Sequence, residues 1–414
     1  MGYPLGAMPH NDSDQAGAKP FIDLLDGAFY GGDPHAGYRW MRENDPLYLD
    51  EKNGIWGVNL HADIMTISKD PTRFCSGRGF RPDVPPMPMM IAMDRPQHLV
   101  RRNLVSRGFT PRRVANMEAR VREICRGILD AICERGECDF VRDVAMPLPM
   151  IVIGDLLGVK EEDHDRLLEW SDTMVGANGS PDPEMMVRAA QAMQDYTAFN
   201  QDVVADRRVR DPQEDLMSIL VHAEVDGERL DDQSILFESL LILVGGDETT
   251  RHVISGGVRQ LLLHPEQWSL LAQHPEKIPM AVEEMLRWVT PIQNMMRTTT
   301  CEVELHGKTL AEGERLLLLY PSANRDDAVF DEPDRFDVER DPNPHVAFGG
   351  YGNHFCLGNS LARLELRVLL EELLQRIPDL ELVSQEAPPM RQANFIVGYE
   401  AMPVHFEPTA PAAR

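Results

Sequence analysis

One cysteine stands where it could do chemistry. Cys356 closes the glycine-rich stretch Phe348-Gly-Gly-Tyr-Gly-Asn-His-Phe-Cys356-Leu-Gly358 and opens a long amphipathic helical pattern through Leu361-Ala-Arg-Leu-Glu365. Backbone N–H groups at a helix N-terminus favour negative charge, so a thiolate placed there is stabilised and can bind a soft metal. Gly358 would let a flat, bulky group approach the backbone closely. For a lone cysteine, a buried structural role after a turn is the better reading; two further stretches shift the balance.

The first is Leu240-Leu-Ile-Leu-Val244 followed at once by Gly245-Gly-Asp-Glu-Thr249-Thr250, inside a helical pattern from Asp231 to Leu263. Glycine in mid-helix costs about 1 kcal/mol relative to alanine, and acids next to an apolar run are expensive to bury. A local rule broken this way points to function, although a kinked core helix with solvated acids fits almost as well. The second is His98-Leu-Val-Arg101-Arg102, which sets His98 and Arg102 four apart on one helix face. A solvated basic face is the bland alternative there.

These residues need elements to hold them, and the chain is long enough to build them. Its 414 residues carry a net charge of -26, from 41 basic and 67 acidic side chains. That balance favours solubility and argues against nucleic acid or an anionic membrane as a partner. The six cysteines have neither metal-finger nor disulfide-framework spacing, and no signal peptide is read, so a cytoplasmic protein with reduced thiols is expected. The apolar run at Leu240 to Val244 falls short of the roughly 20 residues a membrane span needs.

Residues 1–19 lack periodicity and read as a disordered tail, leaving one large, mainly helical domain over 20–414. Asp33-Pro34 signals a helix start, and Asn53-Gly54 between Leu47-Tyr-Leu49 and Ile55-Trp-Gly-Val58 predicts a hairpin with a type I′ turn. From Phe74 to Met93 the chain is rich in Pro, Gly and Met and fits neither helix nor strand. A loop that long usually has a task, and its methionines could line an apolar site. Helical spacing resumes from Pro111 to Gly136, then after Pro147, then from Pro183 to about Arg210, with a loop from Gly176 to Pro183 and a turn at Asp226-Gly227. Val303 to Leu305, with His306-Gly307, and Arg315 to Leu319 read as short strands.

Taken together, the cysteine loop, the Gly-Gly-Asp-Glu-Thr-Thr segment and the motifs Glu283-Glu284-Met-Leu-Arg287 and Phe330-Asp-Glu-Pro-Asp-Arg335-Phe-Asp-Val-Glu-Arg340 resemble the cytochrome P450 family, from about Pro34 to the C-terminus. The loop departs from the family's commonest pattern: Gly349 occupies the usual Phe position and Phe348 lies one residue earlier.

The resemblance implies a mainly α fold with small β-sheets (α+β), haem b ligated by Cys356, dioxygen as co-substrate, and electrons from NAD(P)H through a separate ferredoxin and ferredoxin reductase. By the same match, His98, Arg102, Arg297 and His354 meet the haem propionates, while Gly245, Phe348 and Gly358 lie against the haem. The basic segment around Arg101, Arg107, Arg112 and Arg113 could steer an acidic electron donor. Glu248 and Thr249 take the family's acid and alcohol roles, passing protons to oxygen; Asp247 and Thr250 stand beside them, and an alignment slipped by one residue is the alternative. Met89, Met90, Ile91, Val244, Ile292, Asn294, Met295, Phe395 and Ile396 become candidate pocket residues. Glu284 and Arg287 form a buried structural triad with Arg335, or with its rival Arg340.

Within the family, Gly246-Asp-Glu-Thr-Thr-Arg-His252, Cys133-Glu-Arg-Gly-Glu-Cys138 and Leu361-Ala-Arg-Leu-Glu365 look like the actinobacterial steroid C27-monooxygenases. This implies hydroxylation of the terminal methyl of a cholesterol or cholestenone side chain, possibly on to the acid. Fatty acids or terpenoids are the next substrates in line. A haem-thiolate sensor or carrier without turnover and a peroxide-driven enzyme are the remaining alternatives.

Overall fold

Asp231 caps the longest helix, Asp232–Leu263, by accepting the Ser234 N–H at 2.7 Å. Everything else in this computed structural model, which describes residues 20–177, 182–225 and 228–411, is laid around that helix. The expected tail over 1–19, the Asp226-Gly227 turn and residues 178–181 of the expected loop lie outside the described residues.

On one side the long helix packs against Pro147–Leu157 and on another against Ile278–Val289. Glycines set how closely: a Cβ on Gly246 would come within 2.6 Å of Ile153 Cδ1, and one on Gly257 within 2.3 Å of Met285 Cε. The helix after the cysteine, Asn359–Arg376, packs against Glu118–Ile132 and Ile278–Val289. His164–Gly176 and Pro183–Val209 pack together over the remaining face.

Strands are few and short. A five-stranded sheet runs in the order Leu47–Asp50, Ile55–Val58, Arg315–Leu319, Asn294–Thr299, Phe74–Cys75. The fold is thus mainly α with small sheets, as expected, and no helix among the described residues is long and apolar enough to cross a membrane.

Two local expectations need correcting. The hairpin pairs Asp50 with Ile55, so residues 51–54 form a four-residue loop closed by Gly54 N–H to Asp50 O at 2.9 Å. Gly54 alone takes a positive φ (59°); the Asp50 carboxylate accepts from the Asn53 side chain at 2.7 Å, which favours this wider loop over a type I′ turn. The Met-rich loop is not wholly irregular either: Phe74–Cys75 adds to the sheet and Met90–Ala92 is a single 3₁₀ turn.

The third member of the Glu284–Arg287 cluster is also corrected. Arg287 donates to both Glu284 oxygens at 2.7 Å, a buried bidentate pair. Arg340, with its side chain 9% exposed, reaches Glu284 at 3.2 Å, whereas Arg335 is 60% exposed and pairs with Glu332. Arg335 enters only through its carbonyl, which accepts from Arg287 at 3.1 Å and from Arg340 at 3.0 Å.

Candidate functional site

The long helix, the cysteine loop and the strand Asn294–Thr299 border a largely apolar cavity that opens to solvent, with about 1450 Å³ of atom-free space including its mouth. The helix contributes two stripes at four-residue spacing, Leu241, Gly245, Thr249 and Ile242, Gly246, Thr250, continued by Val253. At Gly245 an added Cβ would meet nothing within 4 Å, so this glycine opens directly onto the cavity. Gly246 instead makes room for Ile153, so the two adjacent glycines solve different problems.

Opposite the helix lies the loop 348–358. Gly349 turns it with a φ of 92°, and a Cβ on Gly352 would sit 1.7 Å from Ser68 O. The loop is therefore seated by main-chain contact on the helix His61–Lys69. Cys356 N–H donates to Phe348 O at 3.0 Å, and Asn359 Nδ2 donates to Cys356 O at 2.8 Å. Phe348 lies beneath the Arg363 guanidinium, 4.6 Å from its ring centre, and Arg363 is held by Glu283 at 2.6 Å. Burial pushes the Cys356 thiol up, against the pull of the Gly358 and Asn359 N–H groups and of Arg102 and Arg363. The N–H groups expected from the sequence are present; a cation on the sulfur would be needed to overcome burial.

One edge of the cavity is basic. His98 and Arg102, on the helix Gln97–Val105, meet Arg297 and His354 there. The His98 and His354 rings lie 4.1 Å apart, and Arg102 donates to Phe355 O at 2.6 Å. Among the described residues neither Arg102 nor Arg297 is paired with a carboxylate. Burial and then Arg102 push His98 down to about 4, and burial and then Arg297 push His354 down to about 2. Such a concentration of positive field calls for an anion. An apolar chamber with one thiol on its wall and cationic groups at its rim fits an iron porphyrin with two carboxylates.

The sequence-derived acids are placed differently from expectation. Thr249 lines the cavity, its hydroxyl donating to Gly245 O at 2.9 Å. Glu248 does not: it is fully buried behind the helix, paired with Arg391 at 2.8 Å and Arg251 at 3.0 Å. Burial still raises its pKa despite both arginines. Arg251 and Arg391 both continue to Asp172 at 2.6 Å, so Glu248 is tied to the helix His164–Gly176. Asp247 is also fully buried and off the cavity wall; burial and then the Glu248 charge drive its pKa well up, with Arg251 and the Ser171 hydroxyl opposing.

Of the candidate pocket residues, Met90, Ile91, Ile292 and Met295 line the cavity. Met89 and Phe395 lie just behind Ile91 and Met295, in a cluster with Phe80 and Ala92. Val244 packs against the main core, and Ile396 bridges to Ile292. Asn294 is corrected: strand alternation sends it away from Met295 and Arg297, into contacts with Tyr30 at 3.2 Å and Arg81 at 3.1 Å. Sequence reasoning missed Leu241, Ile242, Phe109, Ile153 and Tyr320. The first two could have been found by running the Gly245–Thr249 stripe one turn back; the others come from distant elements that carry no local signal.

A sequence model of the cytochrome P450 family matches residues 271–404. A Mycolicibacterium smegmatis protein named steroid C26-monooxygenase is 49% identical over 395 residues, 95% of this chain and 98% of the relative. One of the same name from Mycobacterium tuberculosis is 50% identical over 395 residues, with the same coverage. Among solved structures, a Mycobacterium marinum cytochrome P450 in complex with pseudoionone superposes with a TM-score of 0.87 at 34% identity, covering 94% of this chain and 100% of that one.

Proposed function

We infer, since this chain belongs to the cytochrome P450 family, that it is a haem-thiolate monooxygenase hydroxylating the terminal methyl of a steroid side chain. The observation that carries this reading is identity of 49% and 50% across nearly the whole chain to two proteins named steroid C26-monooxygenase. The C27 label expected from the sequence and the C26 of those names denote the two ends of one isopropyl group. Cholesterol and cholest-4-en-3-one are the proposed substrates, with NAD(P)H supplying electrons through ferredoxin and its reductase.

When bound, the haem activates dioxygen, and thiolate donation favours O–O cleavage. In this reading Cys356 supplies that thiolate, and the basic edge of His98, Arg102, Arg297 and His354 holds the propionates. Gly245, with no side chain on the cavity wall, would leave room for the bound group there. Thr249 spends its O–H on Gly245 O, which leaves its lone pairs free to hold a water in the cavity. Glu248 replenishes that water only by releasing Arg391 or Arg251. Met90, Ile91, Ile292 and Met295 form the wall that admits a narrow alkyl chain.

Product identification by mass spectrometry tests the substrate, using cholestenone, cholesterol and a branched fatty acid with a ferredoxin system. Hydroxylation of the sterol terminal methyl is expected; product from the fatty acid alone would overturn the assignment. Thr249→Ala is expected to consume NAD(P)H and oxygen at a comparable rate while product per electron falls about tenfold or more, because the water that the Thr249 oxygen holds is no longer positioned. Unchanged coupling would remove Thr249 from proton handling.

A further inference from the structure

Glu238 is a fully buried acid on the long helix that the proposed chemistry leaves without a task. Its Oε1 accepts the Met90 N–H at 2.9 Å, and its Oε2 has no partner. Among the described residues this is the one hydrogen bond joining residues 86–93 to the long helix. The remaining bonds of Met90–Ala92 are local, from Ala92 N to Met89 O and from Met93 N to Met90 O.

Arg101 stands beside it on the helix Gln97–Val105: its Nη2 donates to Ser234 Oγ at 2.5 Å, one turn before Glu238, and its Nη1 is buried without a partner. A half-satisfied buried carboxyl is costly where an apolar side chain would pack. The cost is understandable if the carboxyl fixes something that packing alone leaves loose.

We propose that Glu238 is a positioning residue for substrate: it pins the main chain of the Met-rich loop at Met90, and so sets Met90 and Ile91 as a fixed wall of the cavity. This rests on the reading that the cavity takes a sterol side chain, while the pinning itself does not. The charged group facing Glu238 is Arg101. Burial, opposed by Arg101 and the Met90 N–H, raises the carboxyl to about 7. Above that pH the bond to Met90 is charge-assisted; below it a neutral carboxyl accepts more weakly. The loop is therefore held more firmly on the alkaline side of neutrality.

Hydrogen exchange of the Met90 amide in substrate-free holoenzyme reads the pin directly. After correction for intrinsic exchange, wild-type protection should fall several-fold from pH 8.5 to pH 6. Glu238→Gln keeps an acceptor, so it should retain intermediate protection without that pH dependence. Glu238→Leu should lose about tenfold in protection, the scale of one hydrogen bond, and weaken cholestenone binding by a similar factor while the carbon monoxide spectrum stays unchanged. Met90 protection equal to wild type in Glu238→Leu, or a pH dependence that persists in Glu238→Gln, would overturn the proposal. Should no sterol perturb the wild-type haem spectrum, the substrate reading fails and the exchange data still decide the pinning.

Discussion

Reduced Cys356→Ser protein exposed to carbon monoxide is expected to lose the red-shifted Soret band of sulfur-ligated haem, and its turnover should fall to background. Cys356 is the one cysteine on the cavity wall; Cys125, Cys133 and Cys138 are buried elsewhere in the core. Serine preserves the size and the backbone bonds to Phe348 and Asn359, so the loop keeps its shape while the soft, electron-rich ligand is gone. The basic edge remains, and the variant should still bind porphyrin in part. Persistence of the thiolate-type band in this variant would place the ligand elsewhere and dismantle the assignment of the whole site.

Glu284→Gln should lower stability by roughly 3–5 kcal/mol, because it leaves Arg287 buried without its counter-charge. That is a large part of the 5–15 kcal/mol that holds a typical domain together. Glu284 also accepts from Asp337 N at 2.9 Å and Asn343 Nδ2 at 3.1 Å, so the chain leading to the cysteine loop loosens as well. Arg335→Ala, at an exposed guanidinium, should change stability by no more than about 0.5 kcal/mol, with Arg340→Ala between the two. Urea midpoints at constant slope measure all three. Equal losses for Arg335→Ala and Glu284→Gln would contradict the geometry.

The parts of the site legible in the sequence share one property: their physics is local. Cys356 after its glycines, Gly245 and Thr249 one turn apart, and His98 with Arg102 each declare themselves within a few residues, and all line the cavity. The helix Asp232–Leu263 was legible to within one residue of its start, the pattern being read from Asp231, which the structure makes the cap.

What the sequence hid is decided by partners far along the chain. Glu248 looked like an open acid until Arg391, distant by 143 positions, was seen to hold it. Choosing between Arg335 and Arg340 required knowing which side chain is buried. Asn294 has a nearer cause: alternation along Asn294–Thr299 puts it on the face opposite Met295 and Arg297. Glu238 gave no signal, since its role exists only when Met90 is beside it.

The seating of the cysteine loop on Ser68 separates what this scaffold can vary from what it cannot. A Cβ at Gly350 or Gly352 would collide with Ser68 at 2.3 Å or 1.7 Å, so a randomised library there should return almost only glycine among coloured clones. A library over Pro86, Met87 and Pro88, which are exposed or half-buried, meets no such wall, and selection for new substrates should gather its survivors in that lip. New substrate preference is then to be sought at the cavity's lip, while the seat of the cysteine stays fixed.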